Sequence, residues 1–202
     1  LARWDEVQRW GERMLELAQA TGNLPYVVKA QWRLTRAAMG RDDGAAARHW
    51  CERNLPLARA TGDRLHEAVA LRQLGNFRRE DGAAAAGREL NLQARDVFRA
   101  IDLPLMACEA AAFAAQCELA LDLHDAARAT VDEVLAALEG ELAQVGASET
   151  MAVRFMCHQV LEPLGDARAA GLVERVHADL HAKLSSLPDS AERDREIAQL
   201  DN

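Results

Sequence analysis

Lysine is nearly missing from this chain. It occurs only at Lys29 and Lys183, preceded by Val28 and Ala182. A phosphate-binding loop ends in Gly-Lys-Ser or Gly-Lys-Thr, so these residues hold none, and any ATPase or cyclase activity would lie outside them. The G-x-S-x-G elbow of hydrolases and the G-x-G-x-x-G turn of dinucleotide-binding folds are missing too. Isoleucine appears only at Ile101 and Ile197, and aromatic residues make up 4% of the chain. With few β-branched residues and many Ala, Leu, Glu and Arg, helix is favoured throughout and no strand is expected. No apolar stretch approaches the ~20 residues that cross a bilayer, and no secretory signal is visible. The net charge is −8 with no basic run to offset it, which argues against general affinity for nucleic acid phosphate. The four cysteines, Cys51, Cys108, Cys117 and Cys157, show no C-x-x-C spacing. Cys108 and Cys117 stand nine residues apart, about 900° of helix, so they fall on opposite faces and cannot pair. These features describe a reduced, cytoplasmic protein whose cysteines are small core residues.

What the chain does contain is a recurring phrase. Ala20-Thr21-Gly22-Asn23-Leu24-Pro25 returns as Ala60-Thr61-Gly62-Asp63-Arg64-Leu65, and more loosely as Ala100-Ile101-Asp102-Leu103-Pro104. Matching Asn23, Asp63 and Asp102 gives intervals of 40 (63 − 23) and 39 (102 − 63) residues. A second phrase lies between them: Asp43-Gly44-Ala45-Ala46-Ala47-Arg48 matches stretches that begin at Asp81, Asp125 and Asp166. A period of this size marks a solenoid of helix pairs, in which no unit buries its apolar face alone. The fold class expected is all-α: a right-handed α-solenoid of antiparallel helix pairs.

Nine helices and a tail are expected along the chain. The first runs from Trp4 to Ala20, with Val7, Trp10, Met14, Leu15 and Leu17 near one stripe. The second opens at Pro25 and continues to Met39. The third spans Ala45 to Ala60, with Pro56 bending its second half. The fourth runs from Leu65 to Arg79 behind an Asp63 cap. The fifth covers Ala83 to Ala100, the sixth Pro104 to Leu121 and the seventh Asp125 to Val145. Ser148 caps the eighth, which ends near Glu162-Pro163, and the ninth runs from Ala167 to Leu187. Pro188-Asp189-Ser190 then breaks the chain before a short closing helix from Ala191 to Leu200. The domain reading is a repeat array over 1–187, made of a truncated unit 1–23 and units 24–62, 63–102, 103–146 and 147–187, with a tail at 188–202. Because the chain opens on Leu1 and enters helix at once, it is expected to be part of a longer polypeptide.

The pattern Leu71-x-x-Leu74-Gly75-Asn76, followed by Asp81-Gly82 and Ala85-Ala86-Gly87-Arg88, resembles the tetratricopeptide repeat. In that repeat a leucine-glycine pair in the first helix packs on a small residue early in the second. Gly87 stands at that small position, and Ala94 at the next. Units near 40 residues with an Ala-Thr-Gly-Asp boundary look like the variant found in large bacterial regulators. Those regulators join an AAA- or STAND-type ATPase module to helical repeats, and some carry an adenylate cyclase or a LuxR-type DNA-binding domain. The stretch from Val153 to Arg168 is similar to the final repeat of such regions. Leu187-Pro188-Asp189 with Arg195-Glu196-Ile197 resembles their C-terminal ending.

The resemblance implies a binding groove lined by the first helix of each pair. Its groove positions fall on Lys29, Trp32, Arg36, Met39 and Gly40, then on Val69, Arg72, Asn76, Arg79 and Glu80. Further along they fall on Glu109, Gln116 and Leu119, then on Phe155, Gln159 and Glu162. In an acidic chain, Lys29, Arg36, Arg72 and Arg79 would make the first half of this groove basic, and Arg and Trp are common interface anchors. An acidic peptide, a C-terminal carboxylate, a partner domain with a negative patch, or the protein's own N-terminal domains would fit such a surface. The alternative for the arginines is pairing with nearby Glu and Asp, and for Trp32 a place in the core among Trp4, Trp10 and Trp50.

Other groups read as structural. His177 and His181 share a helix face with Glu174 and could grip a divalent metal, but the spacing fits a solvated face and no fourth ligand is in view. Cys157-His158 fits core packing better than a catalytic thiol. Asp42-Asp43 fits helix capping. No catalytic residue, metal or cofactor is implied. The function expected is a non-catalytic protein-interaction scaffold, the repeat region of a bacterial signalling or transcription regulator. The alternative is a sensor module that binds a small molecule or short peptide in the groove.

Overall fold

The computed structural model describes residues 2–185, apart from the side chains of residues 2, 147 and 148. Among the described residues there are nine α-helices and no strand. They are α1 (Ala2–Ala20), α2 (Leu24–Met39), α3 (Gly44–Thr61), α4 (Arg64–Glu80), α5 (Ala84–Ala100), α6 (Pro104–Ala120), α7 (His124–Glu139), α8 (Ala147–Leu161) and α9 (Arg168–Ser185). The N-cap of α8 is Gly146, so Ser148 lies within the helix rather than capping it as expected. The break at Pro188 and the closing helix from Ala191 to Leu200 lie outside the described residues. No described helix is long and apolar enough to cross a membrane.

The chain turns back at even steps. Gly22, Asp42, Gly62, Gly82, Asp102 and Asp122 each take a left-handed backbone, with φ between 56° and 78°. Glycine adopts this conformation freely, and aspartate is among the few other residues that tolerate it. Asp102 therefore stands where Gly62 does, 40 residues on (102 − 62), so its match to Asp63 was one residue out of register. Likewise Asp43 corresponds to Ala83 and Leu123, not to Asp81 and Asp125. The reason lies in their roles. Asp43 starts α3 by accepting from Ala46 N–H at 3.0 Å, whereas Asp81 ends α4. The same start caps serve α2, where Asn23 accepts from Tyr26 N–H at 3.4 Å, and α4, where Asp63 accepts from His66 N–H at 3.1 Å. The even spacing stops after α7. That helix ends at Glu139 rather than Val145, because Gly140, at φ −98° and ψ −100°, leaves the helical region.

Consecutive helices pack as neighbours all along the array. The first helices of the pairs also approach one another, α2 with α4, α4 with α6 and α6 with α8. No comparable backbone approach joins α3 to α5 or α5 to α7, and α5 reaches α7 instead through the Arg99–Glu133 ion pair. The array therefore curves with α2, α4, α6 and α8 on its inner side.

Small residues set the closest approaches. An added Cβ on Gly87 would lie 2.7 Å from the Gly75 carbonyl oxygen, so α4 and α5 meet there backbone to backbone. α6 is apolar nearly all round, the mark of a helix enclosed on every side. Its Ala107 and Ala110 join Val69, Leu71, Val97 and Phe98 of α4 and α5. Its Ala111, Ala112 and Ala115 join Val131, Val134, Val153 and Val160 of α7 and α8.

A polar clasp repeats with the same period. Residues 8, 48, 88 and 128 occupy one position on successive second helices, and each reaches the far end of the next first helix. Gln8 accepts from Arg41, and Arg48 pairs with Asp81 while its guanidinium lies 5.0 Å over the Phe77 ring. Arg88 Nε donates to Glu118 Oε1 at 2.8 Å, and Arg128 donates to the Leu164 carbonyl at 3.0 Å. Glu118 is only 1% exposed, and Thr130 Oγ1 donates to its second oxygen at 2.8 Å.

Candidate partner-binding groove

The curvature places parts of all four inner helices around one cleft of about 380 Å³. Its walls are Met39 of α2, Arg72, Gln73, Asn76, Phe77, Arg79 and Glu80 of α4, Glu109 and Phe113 of α6, and Ala152 and Met156 of α8. Arg72, Asn76 and Arg79 recur at the helical spacing that keeps one face, so α4 directs all three side chains into the cleft.

The floor carries polar atoms that the chain does not satisfy. Arg72 pairs with Glu109 across the α4–α6 contact, yet its Nε is buried without a partner. Burial also works against the charge of this guanidinium. Asn76 is 9% exposed and its Oδ1 is buried without a partner. Arg79 Nε is likewise buried and unpaired. A buried polar group left unmade costs ~1–3 kcal/mol, and each calls for an explanation. Two N–H donors and one carbonyl acceptor between Met39, Phe113 and Met156 offer a complement to a peptide backbone or a carboxylate.

The other residues assigned to the groove spread out. Gln116 Nε2 donates to Gln159 Oε1 at 3.0 Å, a bridge between α6 and α8. Lys29 lies 5.1 Å over the exposed Tyr26 ring, and Arg36 is exposed; neither lines the cleft. Trp32 packs against the Ala68–Val69–Leu71 cluster, not among the other tryptophans. Gly40 lies under the Trp4 ring, which leaves no room for a Cβ. On α8, Met156 forms the wall and Phe155 stands outside it, tilted 30° against the His158 ring. Gln73, Phe77, Phe113, Ala152 and Met156 complete the cleft beyond the repeat-derived positions. Gln73, Phe77 and Met156 each follow by one residue a position assigned to the groove, Arg72, Asn76 and Phe155.

The remaining reactive groups are absorbed by the fold. All four cysteines are buried and free. Burial pushes the Cys51 and Cys108 thiols up to about 11 and Cys157 up to about 12. A thiol so placed stays protonated and is a poor nucleophile. His158 Nδ1 lies 3.0 Å from the Ala169 carbonyl, tying α8 to α9. His177 and His181 are exposed, with their Nε2 atoms 3.2 Å apart.

Tandem antiparallel helix pairs, glycine-mediated contact within the pair, and a cleft on the first-helix side define a tetratricopeptide-like α-solenoid. The structure is similar to that of a putative kinesin light chain from Podosopora anserina with nearly identical TPR-like repeats. That match has a TM-score of 0.58 at 15% identity and covers 90% of this chain and 96% of the other. It shows the fold. No family model and no curated protein matches the sequence.

Proposed function

We propose that the chain is a non-catalytic protein-interaction scaffold that holds an extended, acidic partner segment in the cleft of α2, α4, α6 and α8. The observation that carries this is the set of unpaired polar atoms, Arg72 Nε, Asn76 Oδ1 and Arg79 Nε, on the cleft floor. A partner carboxylate meets Arg79, and a partner backbone N–H donates to Asn76. The wider setting we propose is the repeat region of a cytoplasmic bacterial regulator of signalling or transcription. The likeness of residues 153–168 and of the C-terminal segment to such regions supports it. The partner is then a separate protein or a domain of the same polypeptide, and a nucleotide-binding module in the full-length protein would test that setting.

The test of the groove is selection of a displayed random dodecapeptide library on the immobilised chain. Enriched peptides should be acidic, and the Asn76→Ala/Arg79→Ala variant should bind them about tenfold more weakly, or ~1.4 kcal/mol. No enrichment, or binders indifferent to that variant, would overturn the reading. The cleft volume of about 380 Å³ also lies in the range of small-ligand pockets, which favours a metabolite-sensing module as the second reading. A thermal-shift panel of metabolites separates the two, since a ligand that binds only the folded form raises its apparent stability.

A further inference from the structure

Trp10, Met14 and Leu17 form one stripe on α1, continued by Thr21 in the turn after it, and line an apolar cleft of about 570 Å³, ended by Asn23 and Tyr26. Trp10 is 67% exposed, Leu17 52% and Tyr26 51%. Apolar side chains gathered and exposed in this way mark a contact surface. The repeat says what kind. One period on, the same stripe is Trp50, Asn54, Leu57 and Thr61 of α3; two periods on, it is Leu90, Ala94, Val97 and Ile101, which continues α5. Every one of these eight residues is buried or half-buried. At the centre of each stripe the helix before it in the chain provides cover. Asn54 Nδ2 donates to the Val28 carbonyl of α2 at 2.8 Å. Ala94 and Val97 pack with Ala68 and Leu71 of α4. On α7, Val134 and Ala137 of the same stripe face Ala107, Cys108 and Ala111 of α6 across a shared cleft.

We propose that the polypeptide N-terminal to Leu1 contributes a first-type helix that packs antiparallel on α1 over Trp10, Met14 and Leu17. The stripe on α1 continues the interface that joins the two helices of every other pair, and this continuity selects its occupant. The occupant is an amphipathic helix of the length of α2, α4 and α6, 16 to 17 residues. It sets small apolar side chains against Met14 and Leu17, as α6 does against α7. Arg13 and Glu16, 3.0 Å apart and exposed, form its polar rim.

The test compares the 202-residue chain with the same chain extended by its native upstream residues. Leu17→Cys should react at once with a thiol reagent in the shorter form, where the native cysteines are buried, and about tenfold or more slowly in the extended form. Trp10→Glu should lower the melting temperature of the extended form by several degrees and leave the shorter form unchanged. Equal labelling in both forms, or an equal Trp10→Glu effect in both, would overturn the proposal. So would a dimer of the shorter form, seen by sedimentation, in which Leu17→Cys is already protected, because the face would then belong to a second copy.

Discussion

Gly87→Ala is the sharpest probe of how the hairpins close. On an isolated helix the change is favourable by ~1 kcal/mol, because alanine is the better helix former. In α5 the new Cβ lies 2.7 Å from the Gly75 carbonyl oxygen and 3.2 Å from both Arg79 N and Cys117 Sγ. The nearest atom is backbone in the facing helix and cannot rotate away, so α4 and α5 must separate. Overpacking costs ~1–3 kcal/mol, and a backbone clash falls at or slightly above the upper end. Set against the propensity gain, the net loss is about 2 kcal/mol. For a chain of this size that lowers the melting temperature by ~4–8 °C. Far-UV circular dichroism melts read it directly. Gly171→Ala is the control: this glycine lies in α9, is exposed, and its added Cβ meets nothing within 4 Å. It should stabilise by up to ~1 kcal/mol. A Gly87→Ala protein that melts at or above the parent temperature would refute the close-approach account.

Arg88→Ala leaves the buried Glu118 carboxylate with Thr130 alone, and urea denaturation should show a loss of about 2 kcal/mol, moderated by the partial exposure of Arg88. An Arg88→Leu/Glu118→Leu pair should recover most of that loss. Stability should fall in acid. Burial of Asp63 opposes its charge, but hydrogen bonds from His66 outweigh it and hold the carboxylate below its ordinary 3.8. A hydrogen bond from Arg48 does the same for Asp81, and one from Arg168 for Asp166. A depressed carboxylate contributes fully above its unfolded value and is lost as pH falls through the folded one. Melting temperatures should therefore hold as pH drops toward 3.8 and decline below it; a rise there would contradict these pairings. Finally, the folded protein should show no rapidly titrating thiol toward a disulfide reagent at neutral pH, and all four cysteines should react on denaturation.

The turns were legible because the chemistry of a left-handed residue is narrow: Gly22 and Gly62 announce it, and Pro25 and Pro104 announce the helices that follow. Register was harder where two aspartates do different work. Asp43 opens a helix and Asp81 closes one, and a phrase match cannot tell a start from a stop. The end of α7 was hidden because Gly140 sits among strong helix formers, Glu139, Glu141, Leu142 and Ala143. The turn it makes lengthens the interval before α8, so that Gln116 meets Gln159 across 43 residues. The Arg72–Glu109 pair spans 37 residues, so no local reading finds it. Arg48, Arg88 and Arg128 recur at an interval of 40 residues (88 − 48 and 128 − 88), but the aspartate match set them out of register, and the purpose of the clasp depends on what the next helix ends with.

The even placement of the left-handed residues has an evolutionary consequence. Residues 63–102 run from just after one such residue, Gly62, to the next of its kind, Asp102, and carry one Arg clasp and one glycine contact. Excising them joins Gly62 to Leu103, a helix-opening position like the Asp63 it replaces. Copying them inserts a module whose two ends already match its new neighbours. The molecule behaves as a ruler that can be shortened or lengthened in whole divisions, and natural variants should differ in reach by complete hairpins before they differ in shape.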